Sequence, residues 1–157
     1  TYDGGRIYNA MAANTSNIWA GRQISATPDG RRAGEPLSDA ASPTYGRDKR
    51  GVTEVINSVT HPDYTKVACG TVLNQKFTPS AFEGANRDKL RALLRVYFKK
   101  GGQEMQINST SREVLLDAME HPENYQSLVV RVSGFSAFFV TLDRSVQLDI
   151  LARTQQE

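Results

Sequence analysis

Val129-Val130-Arg131-Val132-Ser133-Gly134-Phe135-Ser136-Ala137-Phe138-Phe139-Val140 is an apolar, β-branched and aromatic run broken by one glycine. Valine and phenylalanine favour extended backbone. A glycine inside such a run weakens it and marks either a tight bend or a close approach by another part of the chain. The residues on either side bear on which of the two holds at Gly134.

Upstream, Asn86 to Lys100 carries the clearest helical pattern, with Leu90, Leu93, Leu94, Tyr97 and Phe98 on one face. Asn86 is placed to cap its start. Gly101-Gly102 stops it, with Lys99 and Lys100 at the negative end of the helix dipole. From Gln103 to Asn108 the sequence alternates, which predicts a short strand with Gln103, Met105 and Ile107 on one face and Glu104, Gln106 and Asn108 on the other. Thr110-Ser111-Arg112-Glu113 reads as a capping box for a second helix through Glu120, with Val114, Leu115 and Ala118 inward and His121-Pro122 closing it. Beyond the glycine run, Asp143 caps a last helix containing Val146, Ile150 and Leu151, after which Gln155-Gln156-Glu157 is expected to fray.

The first half is less regular. Thr1 to about Trp19 reads as a short helix or an irregular segment, and Trp19 fits a core better than a site. Thr27-Pro28-Asp29-Gly30-Arg31-Arg32-Ala33-Gly34-Glu35-Pro36 is a pair of turns in which Asp29, Arg31 and Arg32 are best read as surface ion-pairing residues. Pro43 to Gly51 is a second, charged loop. Val52 to Val59 has helical spacing and His61-Pro62-Asp63-Tyr64 breaks it. Val67 to Phe77 reads as a strand, with Gly70 marking a close approach and Cys69 as a buried structural thiol. Alternation puts Asn74 and Lys76 on one face of that strand, either lining a cavity or buried with partners. Strands separated by helices in the second half favour an α/β or α+β arrangement.

Composition narrows the function classes. A chain of 157 residues with 39% hydrophobic content can bury a core of its own. The net charge of +2 comes from Lys and Arg interleaved with Asp and Glu, so nothing electrostatic argues for nucleic acid. Cys69 is the sole cysteine, which excludes an internal disulfide and a cysteine-built zinc site and fits a reducing, cytoplasmic compartment. His61 and His121 each precede proline and read as element ends rather than metal ligands. No apolar run approaches a membrane span, and the opening Thr1-Tyr2-Asp3-Gly4-Gly5-Arg6 reads like the interior of a longer protein that was processed, split or excised.

Arg131-Val132-Ser133-Gly134-Phe135-Ser136-Ala137, preceded by Gly101-Gly102-Gln103-Glu104-Met105-Gln106-Ile107-Asn108 and His121-Pro122-Glu123-Asn124-Tyr125, resembles the C-terminal part of glycyl radical enzymes. Members of that family carry an Arg-Val-(Ser/Ala)-Gly-(Tyr/Phe) loop whose glycine holds a carbon-centred radical. The likeness extends through Ile150-Leu151-Ala152-Arg153-Thr154 and back through the Thr27 to Arg31 loop and the Gly70 to Ser80 segment, so it covers nearly the whole chain. Phe138-Phe139-Val140 resembles the dehydratase, lyase and decarboxylase branch of these pyruvate formate-lyase-like proteins more than pyruvate formate-lyase itself. The resemblance implies an α/β fold in which residues 1–82 supply late strands and connections of a ten-stranded barrel and residues 83–157 form the glycyl radical domain.

It also implies a chemistry. A radical at Cα is stabilised by delocalisation into both flanking peptide groups, which requires a planar carbon, and glycine allows this because it has no Cβ. On this reading Gly134 stores the radical. Val130, Val132 and Phe135 form an apolar shell around it, and Arg131 either positions the loop through backbone or carboxylate contacts or is an ordinary surface arginine. Ser133 becomes the end of the fragment left when oxygen cleaves the activated chain. The radical is a post-translational modification, installed by a separate activating enzyme that uses S-adenosylmethionine and an iron-sulfur cluster. No bound metal or organic cofactor is expected in the chain itself. Cys69 does not match the family's Cys-x-Glu finger loop, so the cysteine that forms the working thiyl radical is expected in an upstream catalytic portion or subunit. The resemblance thus implies the radical-storing C-terminal part of a lyase or dehydratase, inactive alone, with homodimerisation of the complete enzyme allowed. The alternative is an autonomous spare-part protein that restores an oxygen-damaged partner. Neither membrane nor nucleic acid is an expected partner, and the substrate is not legible.

Overall fold

The computed structural model describes residues 2–8 and 10–156, so Thr1 and Glu157, which fall within the expected N-terminal and fraying segments, lie outside it, as does Asn9. In chain order the elements are helix α1 (Ser16–Gln23), helix α2 (Val52–Val59), strand β1 (Val72–Phe77), helix α3 (Gly84–Lys99), strand β2 (Glu104–Asn108), helix α4 (Arg112–Glu120), strands β3 (Val129–Arg131) and β4 (Ser136–Phe138), helix α5 (Arg144–Ala152) and strand β5 (Gln155–Gln156). Short 3-10 turns at Tyr64–Lys66, Pro79–Phe82, Pro122–Tyr125 and Phe139–Thr141 join them.

The fold is mixed α/β. β1 lies at the centre of a three-stranded sheet in the order β2-β1-β5. Both pairings are parallel, with Leu73 beside Met105 and Gln75 beside Ile107 on one edge and Lys76 beside Gln155 on the other. Parallel neighbours need a long crossover, and α3 supplies it between β1 and β2. β3 and β4 form a separate antiparallel hairpin. These strands form an open sheet and a hairpin rather than a closed barrel. β1 precedes residue 82, yet both of its neighbours lie beyond it.

Two apolar clusters hold these pieces. In one, Val130 and Val132 of the hairpin pack with Leu115 and Ala118 of α4, Phe139, and Ile150 and Leu151 of α5. In the other, Val55 and Ile56 of α2 meet Leu73 of β1 and Tyr97 of α3. Tyr97 is fully buried, donates its hydroxyl to the Glu104 carbonyl at 2.9 Å, and has its pKa pushed up to about 12 by burial.

α2 spans the residues its periodicity predicts, and Asp143 caps α5 by accepting the Ser145 N–H at 2.8 Å. Elsewhere tertiary contacts shifted the expected boundaries. α3 begins at Gly84, and its flanking residue Glu83 makes no side-chain cap; Asn86 lies inside the helix and donates to the Ser80 carbonyl at 3.4 Å. Ser111, not Thr110, caps α4, accepting the Val114 N–H at 3.3 Å. The strand expected from Val67 starts only at Val72, because the chain bends at Ala68 and Cys69 after the Tyr64–Lys66 turn. Cys69 is therefore exposed rather than buried, and among the described residues nothing beyond its chain neighbours comes within 4 Å of the side-chain position of Gly70. Trp19 is 67% exposed because α1 turns Asn17, Ile18 and Gly21 inward. Phe98 also faces outward.

Arg31 corrects the reading of its loop as a surface ion-pairing turn. It is buried, and its guanidinium donates to the carbonyls of Arg32 at 3.0 Å, Glu35 at 2.7 Å, Ile24 at 3.3 Å and Ser25. Five N–H groups in a rigid fork suit that stapling of a loop from inside. Gln155 and Gln156 do not fray. The free edge of β1 takes them as β5, the Gln156 carbonyl accepts the Thr78 N–H at 2.9 Å, and its side chain donates to Asp48 at 3.1 Å.

Candidate functional site: the Gly134 hairpin and its polar anchors

The interrupted strand is a tight hairpin. Val129, Val130 and Arg131 pair with Phe138, Ala137 and Ser136, and the Val132 N–H donates to the Phe135 carbonyl at 2.9 Å, leaving Ser133 and Gly134 at the tip. Gly134 has φ +81°, a conformation that side chains of L-residues disfavour. It is also a point of close approach: a Cβ built there would lie 3.3 Å from Asn14 Oδ1. Both sequence readings of this glycine therefore hold at once.

The polar face of β2 grips one side of the hairpin. Asn108 accepts the Arg131 N–H at 2.7 Å and donates to the Arg131 carbonyl at 2.6 Å, so its carboxamide substitutes for a neighbouring strand's peptide group. Gln106 Oε1 accepts the Gly134 N–H at 3.1 Å and the Arg131 Nε–H at 3.2 Å. Arg131 also donates to Ser136 Oγ at 3.2 Å. Its contacts are thus to a carboxamide and a hydroxyl.

A buried ionic cluster holds the other side. Arg153, just past α5, donates to the carbonyls of Val132 at 2.7 Å and Arg131 at 3.3 Å. The same guanidinium lies 3.3 Å from Asp149 and 3.6 Å from Asp39. Ser133 Oγ donates to Asp39 Oδ1 at 3.0 Å, and Asn74 donates to Asp39 Oδ2 at 2.6 Å. Asn17 of α1 donates to Asp149 at 3.3 Å. Two buried carboxylates thus share one guanidinium. Burial raises the Asp39 pKa above its ordinary value, against the opposing pull of Arg153 and Ser133, and the charge of Asp149 adds to the rise. Tyr45 adjoins the cluster, and burial followed by the Asp149 charge pushes its hydroxyl's pKa upward.

Of the residues expected around the radical glycine, Val132 and Ser133 are buried and Arg131 is half-buried, while Gly134 and Phe135 are exposed. Val130 and Val132 belong to the core beneath the hairpin, and Phe135 is 43% exposed. Among the described residues those three side chains do not by themselves enclose Gly134. Cys69 lies between the Tyr64–Lys66 turn and β1, outside the hairpin and its anchors. Lys76 and Asn74 are both buried, and burial lowers the Lys76 pKa, with Arg112 adding to the effect.

Sequence reasoning missed the anchors Gln106, Asn108, Asp39, Asp149 and Arg153, and also Asn14. One signal was present: the alternation of Gln103 to Asn108 puts Glu104, Gln106 and Asn108 on a single polar strand face. Asp149 and Arg153 are an i,i+4 pair at the end of α5, but Asp39 is remote in sequence and reaches them only through the packing of α5 against the first half.

With this geometry in place, comparison with known proteins defines the class. The family model described as glycine radical matches residues 37–140. The chain belongs to that family. It is 45% identical over 154 residues to a probable dehydratase, YbiW, of Escherichia coli, covering 97% of the chain and 19% of that protein. It is 39% identical over 157 residues to a trans-4-hydroxy-L-proline dehydratase of Clostridioides difficile, covering 99% of the chain and 20% of that protein. The glycerol-bound form of a B12-independent glycerol dehydratase from Clostridium butyricum superposes with a TM-score of 0.91 at 43% identity, covering 98% of the chain and 20% of that structure. The chain therefore spans about a fifth of the length of the curated relatives it matches.

Proposed function

We propose that Gly134 is the residue that bears the glycyl radical and that the chain is the radical-storing C-terminal portion of a glycyl radical dehydratase. The observation that carries this reading is the place of Gly134: a tip glycine at φ +81°, with its N–H fixed by Gln106 and the carbonyls of Arg131 and Val132 on the entering strand held by Arg153. Such anchoring holds a Cα in one orientation, which hydrogen transfer between fixed partners requires. Membership of the glycine radical family supports it.

The reaction at this site is a hydrogen-atom exchange. A cysteine S–H in the catalytic portion breaks homolytically, its hydrogen goes to Gly134 Cα, and the unpaired electron stays on sulfur. That sulfur then takes a hydrogen from a small hydroxylated substrate, a class suggested by the dehydratase names of the relatives. The exposed Cys69 is not the partner thiol. The exposed tip is to be covered by the catalytic portion and reached by an activating enzyme that uses S-adenosylmethionine and an iron-sulfur cluster, in a reducing cytoplasm.

The test is anaerobic incubation with a matching activating enzyme, with and without the catalytic portion, followed by electron paramagnetic resonance. An organic doublet in which the α-hydrogen splitting collapses on deuteration of glycine, with turnover only when the catalytic portion is present, is expected. Absence of any organic radical in both cases would sink the reading. Air exposure of the activated chain should cleave it at Gly134, leaving a fragment that ends near Ser133; full-length mass after exposure would argue against the assignment.

A further inference from the structure

Gly134 is held by one side-chain amide on its N–H, Gln106 Oε1 at 3.1 Å, and faced by another at its Cα, Asn14 Oδ1, 3.3 Å from the side-chain position. The second contact comes from far away in the chain, from the segment that leads into α1. Asn14 and Thr15 have φ +45° and +71°, so two consecutive non-glycine residues occupy the left-handed region. For a β-branched threonine that conformation is costly and persists only where the surroundings enforce it. Here the surroundings are identifiable. The Ser16 N–H donates to the Ala13 carbonyl at 2.9 Å and the Ile18 N–H to the Thr15 carbonyl at 3.1 Å. Asn17 then fastens the start of α1 to Asp149 and to the Leu37 carbonyl, both at 3.3 Å. Asp149 in turn pairs with the Arg153 that holds the hairpin. The strained segment and the glycine tip are thus fastened to one ionic cluster.

We propose that Asn14 is a positioning residue for the Gly134 radical: its carboxamide oxygen covers one of the two Cα–H directions, leaving the other for hydrogen transfer. The inference rests on Gly134 being the radical site. Its chemistry is specific to the atom placed there. A carboxamide oxygen carries no hydrogen, so a radical at Cα finds nothing to abstract from the atom that faces it. Open space in that place would admit water or oxygen. Asparagine also tolerates the left-handed backbone better than most residues, so one residue serves both the bend and the cover.

Asn14→Gly separates these two contributions, because glycine keeps the left-handed backbone and removes the carboxamide. Asn14→Asp keeps both the backbone tolerance and an acceptor oxygen. In the assembled enzyme, activated anaerobically, Asn14→Gly is expected to lower kcat by about tenfold to a hundredfold with KM changed less than about twofold. The radical doublet should also decay faster under limiting oxygen, with the melting temperature unchanged. Asn14→Asp should restore most of the radical lifetime. Wild-type kcat and radical lifetime in Asn14→Gly would overturn the proposal. A wild-type enzyme that forms no glycyl radical at all would instead overturn the assignment of Gly134, so the two failures are distinguishable.

Discussion

At Gly134, a φ of +81° and the Asn14 oxygen 3.3 Å from the side-chain position act together against any other residue. Gly134→Ala is expected to cost about 1–2 kcal/mol from the backbone alone, measurable by urea denaturation, and to abolish the radical signal. An alanine variant that still gave a stable doublet would place the radical elsewhere. Asp39 makes a second argument at this scale. Burial holds its pKa in the fold above the ordinary carboxylate value, so between the unfolded and the folded pKa the folded chain binds more protons than the unfolded one. Its contribution to stability is fully present below the unfolded pKa and is lost as pH rises through the raised folded pKa. The stability of the wild type relative to Asp39→Asn should therefore increase as pH falls from about 7 to about 4, read by denaturant titration at constant ionic strength. A difference that stays flat or moves the other way would mean that Arg153 and Ser133 outweigh burial.

Among the elements, β2 decides how the hairpin is held. Asn108→Ala removes both hydrogen bonds to the Arg131 peptide and is expected to destabilise by about 1–3 kcal/mol, with faster amide hydrogen exchange at Arg131. Unchanged exchange there would show that the hairpin closes without β2. The existence of β2 and its alternation were legible because a short strand's period of two needs no outside information. What the polar face grips was not, since only the position of β3 supplies its partners. α2 was legible to the residue because Val52, Val55, Ile56 and Val59 form a compact apolar stripe after Gly51. α3 was legible as a helix but not in its burial: Val96 and Phe98 are 48% and 52% exposed, because little of the described chain covers that side. β5 was missed because two glutamines carry no strand signal, and they pair only because β1 offers them an edge.

Over the whole molecule, exposed apolar groups gather on the hairpin: Val129 at 53%, Phe135 at 43% and Phe138 at 50% exposure flank the exposed Gly134 tip. Removal of such groups from water is favourable, so this face is expected to be covered when the catalytic portion is added. Amide exchange across residues 129–138 should slow on mixing with that portion, and exchange in α2 should not; no change in the hairpin would mean that the catalytic portion meets the chain elsewhere. Among the described residues no helix is long and apolar enough to cross a membrane. The sequence by itself determined the helices with strong apolar stripes and the place of the glycine within its run, because both are local properties of side-chain order. It also carried the family resemblance, on the Arg131 to Ala137 run and the segments around it. Only the tertiary structure decided how Gly134 is held. Asp149 and Arg153 sit one helical turn apart at the end of α5, but Asp39 stands far from both in the chain, and a charge in a sequence has no burial and no distant partner until packing assigns them. The same holds for Asn14, whose left-handed backbone and contact with Gly134 arise only when the N-terminal segment is fastened across the hairpin.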